Sequence, residues 1–144
     1  MSIVVLPVPP QTVNQAMPMV EGFLKSAEDK VGVAEYSVEH IKVYLSSGQW
    51  MLLVAQDQED QSLHGAATVN FINYPNDRVA YITSLGGKGI VNPEVFKQLC
   101  DVLKNYGATK VQCAAQEAAA RLYERVGFEQ KYRILEIKIG RAHV

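Results

Sequence analysis

Leu85-Gly86-Gly87-Lys88-Gly89-Ile90-Val91-Asn92-Pro93-Glu94 is the stretch on which the reading of the fold turns. It joins an apolar run, residues 79–85, to a helical pattern through a glycine-rich loop. Asn92, Pro93 and Glu94 stand where a helix start wants an N-cap, a proline at the first position and an acid near the positive end. Val95, Phe96, Leu99, Cys100, Val102, Leu103 and Tyr106 then recur at helical spacing, and Gly107 closes the helix as a C-cap. A second apolar run, residues 110–114, follows. Strand, glycine loop, helix, strand predicts a right-handed crossover between two parallel strands.

Upstream the pattern is different. Residues 3–8 form an apolar run ended by Pro9-Pro10, a first strand. Val13, Ala16, Met17, Val20, Phe23 and Leu24 fall at helix spacing, with Thr12 as N-cap and Pro18 predicting a kink. Ser37 precedes a shorter helix that stops near Gly48. Trp50 to Ala55 is continuously apolar, which predicts a strand buried on both faces. Residues 66–73 and 79–85 read as two more strands around the turn Tyr74-Pro75-Asn76-Asp77. Short links between these runs predict an antiparallel meander.

Downstream, residues 116–126 predict another helix. Ala119, Leu122, Tyr123 and Val126 lie on its apolar side, Gly127 caps it, and Phe128 packs back on its last turn. Leu135, Ile137 and Ile139 alternate with Glu136 and Lys138, which predicts a final strand. The apolar phase slips between Ile134 and Leu135, a sign of a bulge or an irregular edge. The pattern fits one domain over residues 1–139 with a tail at 140–144.

Bulk properties narrow the setting. The chain has 144 residues, one domain's worth. Hydrophobic residues make up 48% and charged residues 20%, which excludes disordered and coiled-coil chains. Fourteen Lys plus Arg against fifteen Asp plus Glu leave a net charge of -1, without the basic excess of a nucleic-acid binder. Two cysteines, Cys100 and Cys113, make no disulfide framework and read as buried reduced thiols. The first 20 residues lack charge but carry Pro7, Pro9, Pro10 and Pro18, so they match neither a signal peptide nor a membrane span. A cytoplasmic protein is the expectation.

Three places could carry chemistry. The loop Gly86-Gly87-Lys88-Gly89 could present backbone amides to a phosphate, or be only a tight turn. Its spacing is neither that of a P-loop nor that of a dinucleotide fingerprint. Tyr123 could donate a proton from a cleft, or be a core residue. Arg121, Arg125, Lys131 and Arg133 form a basic group that is a solvated face or a phosphate contact. His40, His64 and His143 share no metal-ligand spacing.

Ala119 to Phe128 resembles the A-x-x-L-Y-E-x-x-G-F signature of the GNAT superfamily of acyl-CoA-dependent N-acyltransferases. Gly87-Lys88-Gly89-Ile90 is similar to the G-K-G-I core of that family's pyrophosphate loop, and the order of elements matches from Ile3 to Phe128. The overall pattern is also similar to divergent GNAT-like proteins of tailed phages. The resemblance implies a mixed α/β sheet: an N-terminal antiparallel meander, then a β-α-β crossover, with helices on both faces. It implies that Leu85, Gly86, Gly87, Lys88 and Gly89, with Gln116, bind acetyl-CoA or CoA. It further implies that Tyr123 protonates the leaving thiolate, and that a backbone amide of the strand at 79–85 polarises the thioester carbonyl. The acceptor would be a small-molecule or protein amine.

Three departures accompany the resemblance. Gly86 stands where the family's loop has Arg or Gln, and Val91 where it ends in Gly or Ala. Tyr81, Thr83 and Ser84 occupy the usual base position without offering a base near neutral pH. One strand follows Gly127 where the family commonly has two, so the floor of the site would come from a second subunit, as in a homodimer, or be absent. The alternative expectation is therefore a catalytically degenerate GNAT-like phage accessory, virion or host-interaction protein.

Overall fold

A computed structural model of the chain describes residues 2–31, 36–115 and 117–140. The elements run β1 (Ile3–Val8), α1 (Val13–Val31), α2 (Val38–Ser46), β2 (Met51–Asp57), β3 (Leu63–Asn73), β4 (Arg78–Gly86), α3 (Pro93–Asn105), β5 (Lys110–Cys113) and α4 (Glu117–Glu124). All five strands form one sheet in the order β1-β2-β3-β4-β5. The first four pair antiparallel, and β4 with β5 parallel, with α3 between them in sequence. The meander and the crossover are both present.

Alternation along the strands divides the core into two layers. Leu53, Ala55, Ala67, Val69, Ala80 and Ile82 face α3, where Val95, Phe96, Leu99 and Leu103 complete one cluster. Leu52, Val54 and Ala66 face the other way, onto Val13, Met17, Val20 and Leu24 of α1 and Ile41 and Leu45 of α2. Because β2 feeds both clusters, its residues read as an unbroken apolar run rather than an alternating one. The helices thus cover both faces of the sheet.

Local chemistry sets the helix ends. The Asn92 side chain accepts from the amides of Glu94 and Val95 at the start of α3. Ser37 and His40 form a reciprocal capping box at α2, which accounts for His40. Thr12 does not cap α1. Its hydroxyl and amide both donate back to the Pro9 carbonyl, at 3.0 and 2.9 Å, and close a short 3-10 turn ahead of the helix.

The final strand expected at Leu135, Ile137 and Ile139 is not formed. Residues 129–139 have no strand or helix, and Ile134, Leu135, Ile137 and Ile139 are 75, 89, 85 and 97% exposed. Alternation marks a segment able to form a strand, but a strand exists only against a neighbour.

Candidate functional site

The site is set by what happens to β4 at Thr83. Val69 of β3 pairs with Ile82, but Thr68 pairs with Ser84, so Thr83 is an extra residue in β4. Such a bulge bends the strand and strengthens its twist. The last β4–β5 pair is Ile82 with Cys113. Beyond it β4 continues to Gly86 on β3 alone. The two strands therefore part at the bulge, leaving residues 83–86 of β4 without a β5 partner. Hydroxyls fill the inside of the bulge. Thr68 Oγ1 lies 2.7 Å from Thr83 Oγ1 and 2.5 Å from Ser84 Oγ, and Thr83 Oγ1 also donates to the Thr68 carbonyl at 3.1 Å. Thr83 and Ser84 are thus committed to the sheet.

The glycine loop follows directly from the unpaired end of β4, and tertiary packing explains its glycines. At Gly86 even a methyl group would lie on the carbonyl of Phe23 in α1. The side chain that the family places here has no room. Gly87 has φ +104°, and a Cβ there would lie 2.5 Å from both Gly65 Cα and the His64 carbonyl oxygen. Gly89 packs on His64, and its amide donates to the His64 carbonyl at 3.2 Å. Ile90 is fully buried and pins the loop to the α3-side core, whereas Lys88 is exposed. Asn92 takes the amides of Glu94 and Val95, and Pro93 has no amide. The positive end of α3 is thus occupied by its own cap.

Tyr123 comes to the same region from α4. The turn after α4 is closed by Gly127, φ +111°, and by the Phe128 amide donating to the Tyr123 carbonyl at 3.2 Å. Phe128 sits between Phe96, which it meets edge-on, and Tyr123, to which it is tilted, at ring-centroid distances of 5.3 and 5.7 Å. Tyr123 is half-buried, and burial, with the nearby Cys113 thiol, raises its phenol above the ordinary range. Burial pushes the Cys113 thiol up to about 11, so it stays protonated and is no nucleophile at neutral pH. Tyr81 is raised as well, first by burial and then by Cys113, while a hydrogen bond with the Ala114 backbone works the other way. The Tyr123 phenol and the Cys113 thiol beside the parting strands are thus both neutral near neutral pH, able to donate a proton rather than to accept one.

Of the residues expected from the sequence, Leu85, Gly86, Gly87, Lys88 and Gly89 lie at or just beyond the unpaired end of β4, and Tyr123 lies near Cys113 beside the parting strands. Gln116 falls outside the described residues. Arg121 and Arg125 are exposed, Arg121 with Glu117 at 3.4 Å. Sequence reasoning took Cys113 as an inert buried thiol and did not connect it with Tyr81 and Tyr123. Among the described residues no group of His, Cys, Asp or Glu could hold a metal ion, and no helix is long and apolar enough to cross a membrane.

No family model matches the chain, and no curated protein matches it. Solved structures do. A probable acetyltransferase superposes with a TM-score of 0.69 at 13% identity, covering 99% of each chain. A predicted acetyltransferase from Clostridium acetobutylicum, solved with acetyl-CoA, gives 0.64 at 14% identity, covering 95% of this chain and 96% of that one. A ribosomal-protein-alanine N-acetyltransferase from Brucella melitensis biovar Abortus 2308 gives 0.69 at 13% identity, over 96% and 100%. The chain has a GNAT-like fold: a five-stranded mixed sheet, antiparallel through β4 and parallel between β4 and β5, clad by helices.

Proposed function

We propose that the chain is an acetyl-CoA-dependent N-acyltransferase acting on a small-molecule or protein amine in the cytoplasm, with residues 1–139 working as one unit. The observation that carries this reading is the parting of β4 from β5 beyond Ile82 and Cys113, with Tyr123 on one side and the glycine loop at the end. Acetyl-CoA supplies the activated acyl group when bound. The fit to it is uneven. Lys88 is exposed at the loop and the β4 edge is open, but α3's first amides are already capped and Gly86 carries no side chain.

In this reading Lys88 and backbone amides among residues 85–88 hold the pyrophosphate, Gly89 shapes the loop with its own amide on the His64 carbonyl, and Gln116 contacts the cofactor arm. An unpaired amide of β4 beyond the bulge stabilises charge on the thioester oxygen. The amine nitrogen bonds to the acyl carbon, the carbon–sulfur bond breaks, and the Tyr123 hydroxyl gives its proton to the departing sulfur. The raised phenol suits a donor that must stay protonated until that moment. With Thr83 and Ser84 tied to Thr68, the amine loses its proton through water.

Calorimetry with acetyl-CoA tests the reading, and no heat at millimolar cofactor sinks it. Given binding, Tyr123→Phe is expected to lower kcat by 10²-fold or more with little change in affinity. Equal loss of both would make Tyr123 structural.

A second reading is a catalytically degenerate GNAT-like protein serving as a phage accessory, virion or host-interaction protein. It is favoured by the Phe23 carbonyl against Gly86 and by the Asn92 cap, which remove two of the contacts an anion would use.

A further inference from the structure

The turn between β2 and β3, residues 58–62, lies beside the glycine loop, and His64 connects the two. Its carbonyl accepts the Gly89 amide at 3.2 Å, and a Cβ on Gly89 would lie 2.7 Å from His64 Cβ and 3.6 Å from Cγ. The loop therefore rests on the Cβ–Cγ end of this side chain. The far end of the ring points into the turn. Nε2 lies 3.1 Å from Ser62 Oγ and 4.0 Å from Oδ2 of Asp57, a buried carboxylate whose other oxygen takes the Glu59 amide.

These partners fix where the ring carries its hydrogens. A serine hydroxyl has one hydrogen to give, and Ser62 gives it to Asp60 Oδ1 at 2.6 Å. That bond, ahead of every other cause, holds the Asp60 carboxyl below the ordinary carboxylate range, so Asp60 is ionised and accepts. Ser62 Oγ is left to accept from His64, and Nε2 carries the hydrogen. Nδ1 is then the lone-pair end of the neutral ring. Among the described residues nothing bonds to Nδ1, and no buried side-chain nitrogen lacks a partner, so Nδ1 reaches solvent. It is bonded to Cγ, the carbon against which Gly89 packs.

We propose that His64 Nδ1 is a side-chain donor to a phosphate oxygen at the glycine loop, and that the ring takes up a proton from solvent as the phosphate binds. The identity of that phosphate, the pyrophosphate of acetyl-CoA, rests on the reading given under the proposed function. The loop is short of donors. Gly86 has no room for a side chain, the Gly89 amide is engaged by His64 itself, and Asn92 takes the first amides of α3. Lys88 supplies a point charge on a flexible stem, whereas a ring held at both ends supplies direction. The charged groups around the ring are Asp57 at the end of β2, Asp60 and Glu59 in the turn, and Lys88 in the loop. Asp57 and Asp60 stand on the Nε2 side, so the positive charge gained by the ring would lie between them and the phosphate.

Calorimetry of the intact chain with acetyl-CoA, and separately with inorganic pyrophosphate, tests this in two buffers of different ionisation heat between pH 6 and 8. The expected result is proton uptake with either ligand and an affinity that falls by about tenfold as pH rises across that range. His64→Gln keeps an N–H for Ser62 but cannot gain a charge. It should weaken both ligands about tenfold, act on KM for acetyl-CoA rather than on kcat, and lower the proton uptake. Exchange at the Gly89 amide should stay as in the parent chain, because the backbone bond remains. The imidazole nitrogen resonances of the parent give the answer without a variant: pyrophosphate should move Nδ1 of His64 from the lone-pair to the protonated range. Acetyl-CoA bound with equal affinity and equal proton uptake in parent and variant overturns the proposal and leaves the acyltransferase reading standing. Pyrophosphate bound at Nδ1 with no heat from acetyl-CoA supports the proposal and sinks that reading. Silence from both ligands overturns both.

Discussion

The outer flank of β1 and the outer flank of β5 face the same physical problem with opposite outcomes. Both end a sheet, and both leave backbone donors and acceptors unpaired by a further strand of the same fold. β1 is covered by Gln98, a residue more than ninety positions away in sequence, and is blunted by Pro7. β5 is four residues long, borders a groove lined by Cys100, Ala108 and Val111 together with Lys104, Thr109 and Lys110, and among the described residues has no strand on its outer side. An edge is thus not a liability in itself. What matters is whether a side chain elsewhere closes it, and here that was done once.

The contrast can be broken most severely at Phe96, the buried α3 residue whose ring meets Phe128 edge-on. Phe96→Ala is expected to cost about 3–5 kcal/mol, read from denaturant unfolding, because the ring is buried in the α3-side core. It should also free Phe128 and raise exchange at the Phe128 amide. A loss under 1 kcal/mol would mean that the two rings do not support each other.

Gln98→Ala removes both bonds that guard β1. The expected cost is about 1–3 kcal/mol, with faster exchange at the Val5 amide and a greater tendency to associate through that flank. Gln98→Glu would keep the acceptor and lose the donor, and should fall between.

Cys113 sharpens the comparison from the β5 side. Its thiol is raised from the ordinary 9.0 to about 11 in the folded chain. The folded state then holds a proton that the unfolded chain releases. The contribution is fully present below pH 9 and is lost as pH rises toward 11. Stability should decline over that window by at most about 2 kcal/mol, and Cys113→Ala should flatten the decline. Reaction with a thiol reagent at pH 7 should be correspondingly slow; rapid labelling of Cys113 would contradict its burial. The smallest effect is expected at Lys97 and Asp101, an exposed ion pair on α3, where Lys97→Ala should change the midpoint by less than about 0.5 kcal/mol.

Sequence patterning was a good guide wherever the cause was local. The Asn92 cap, the short helix after Ser37, the Gly107 and Gly127 helix ends and the unbroken apolar run of β2 each depend on neighbours a few residues away, and each is where the pattern put it. Thr12 failed because the 3-10 turn over Pro10–Thr12 runs directly into α1, so Thr12 lies inside a helical turn rather than ahead of one. Leu135, Ile137 and Ile139 failed for a different reason: alternation describes the strand and is silent about its partner. The site divides the same way. Tyr123 was legible as part of a helix-and-cap pattern. The reasons for Gly86 and Gly87 were not, since they lie in Phe23, His64 and Gly65, contacts that exist only after α1 and β3 pack on the loop. Nor could spacing reveal that Tyr81 and Tyr123 each come near Cys113.

The single surplus residue at Thr83 acts as a phase shift. Before it, Ala80 and Ile82 point toward α3; after it, Leu85 does so, where an uninterrupted strand would turn Ser84 to that side. Drawing Thr83 into the ladder in place of the bulge would thus exchange the roles of Ser84 and Leu85, pressing a hydroxyl into the apolar layer and an isobutyl group against α1. The backbone would rotate with the side chains, so the donors aimed at β3 and those aimed at the opening would trade places. One inserted residue therefore decides both what the strand buries and which of its amides remain available.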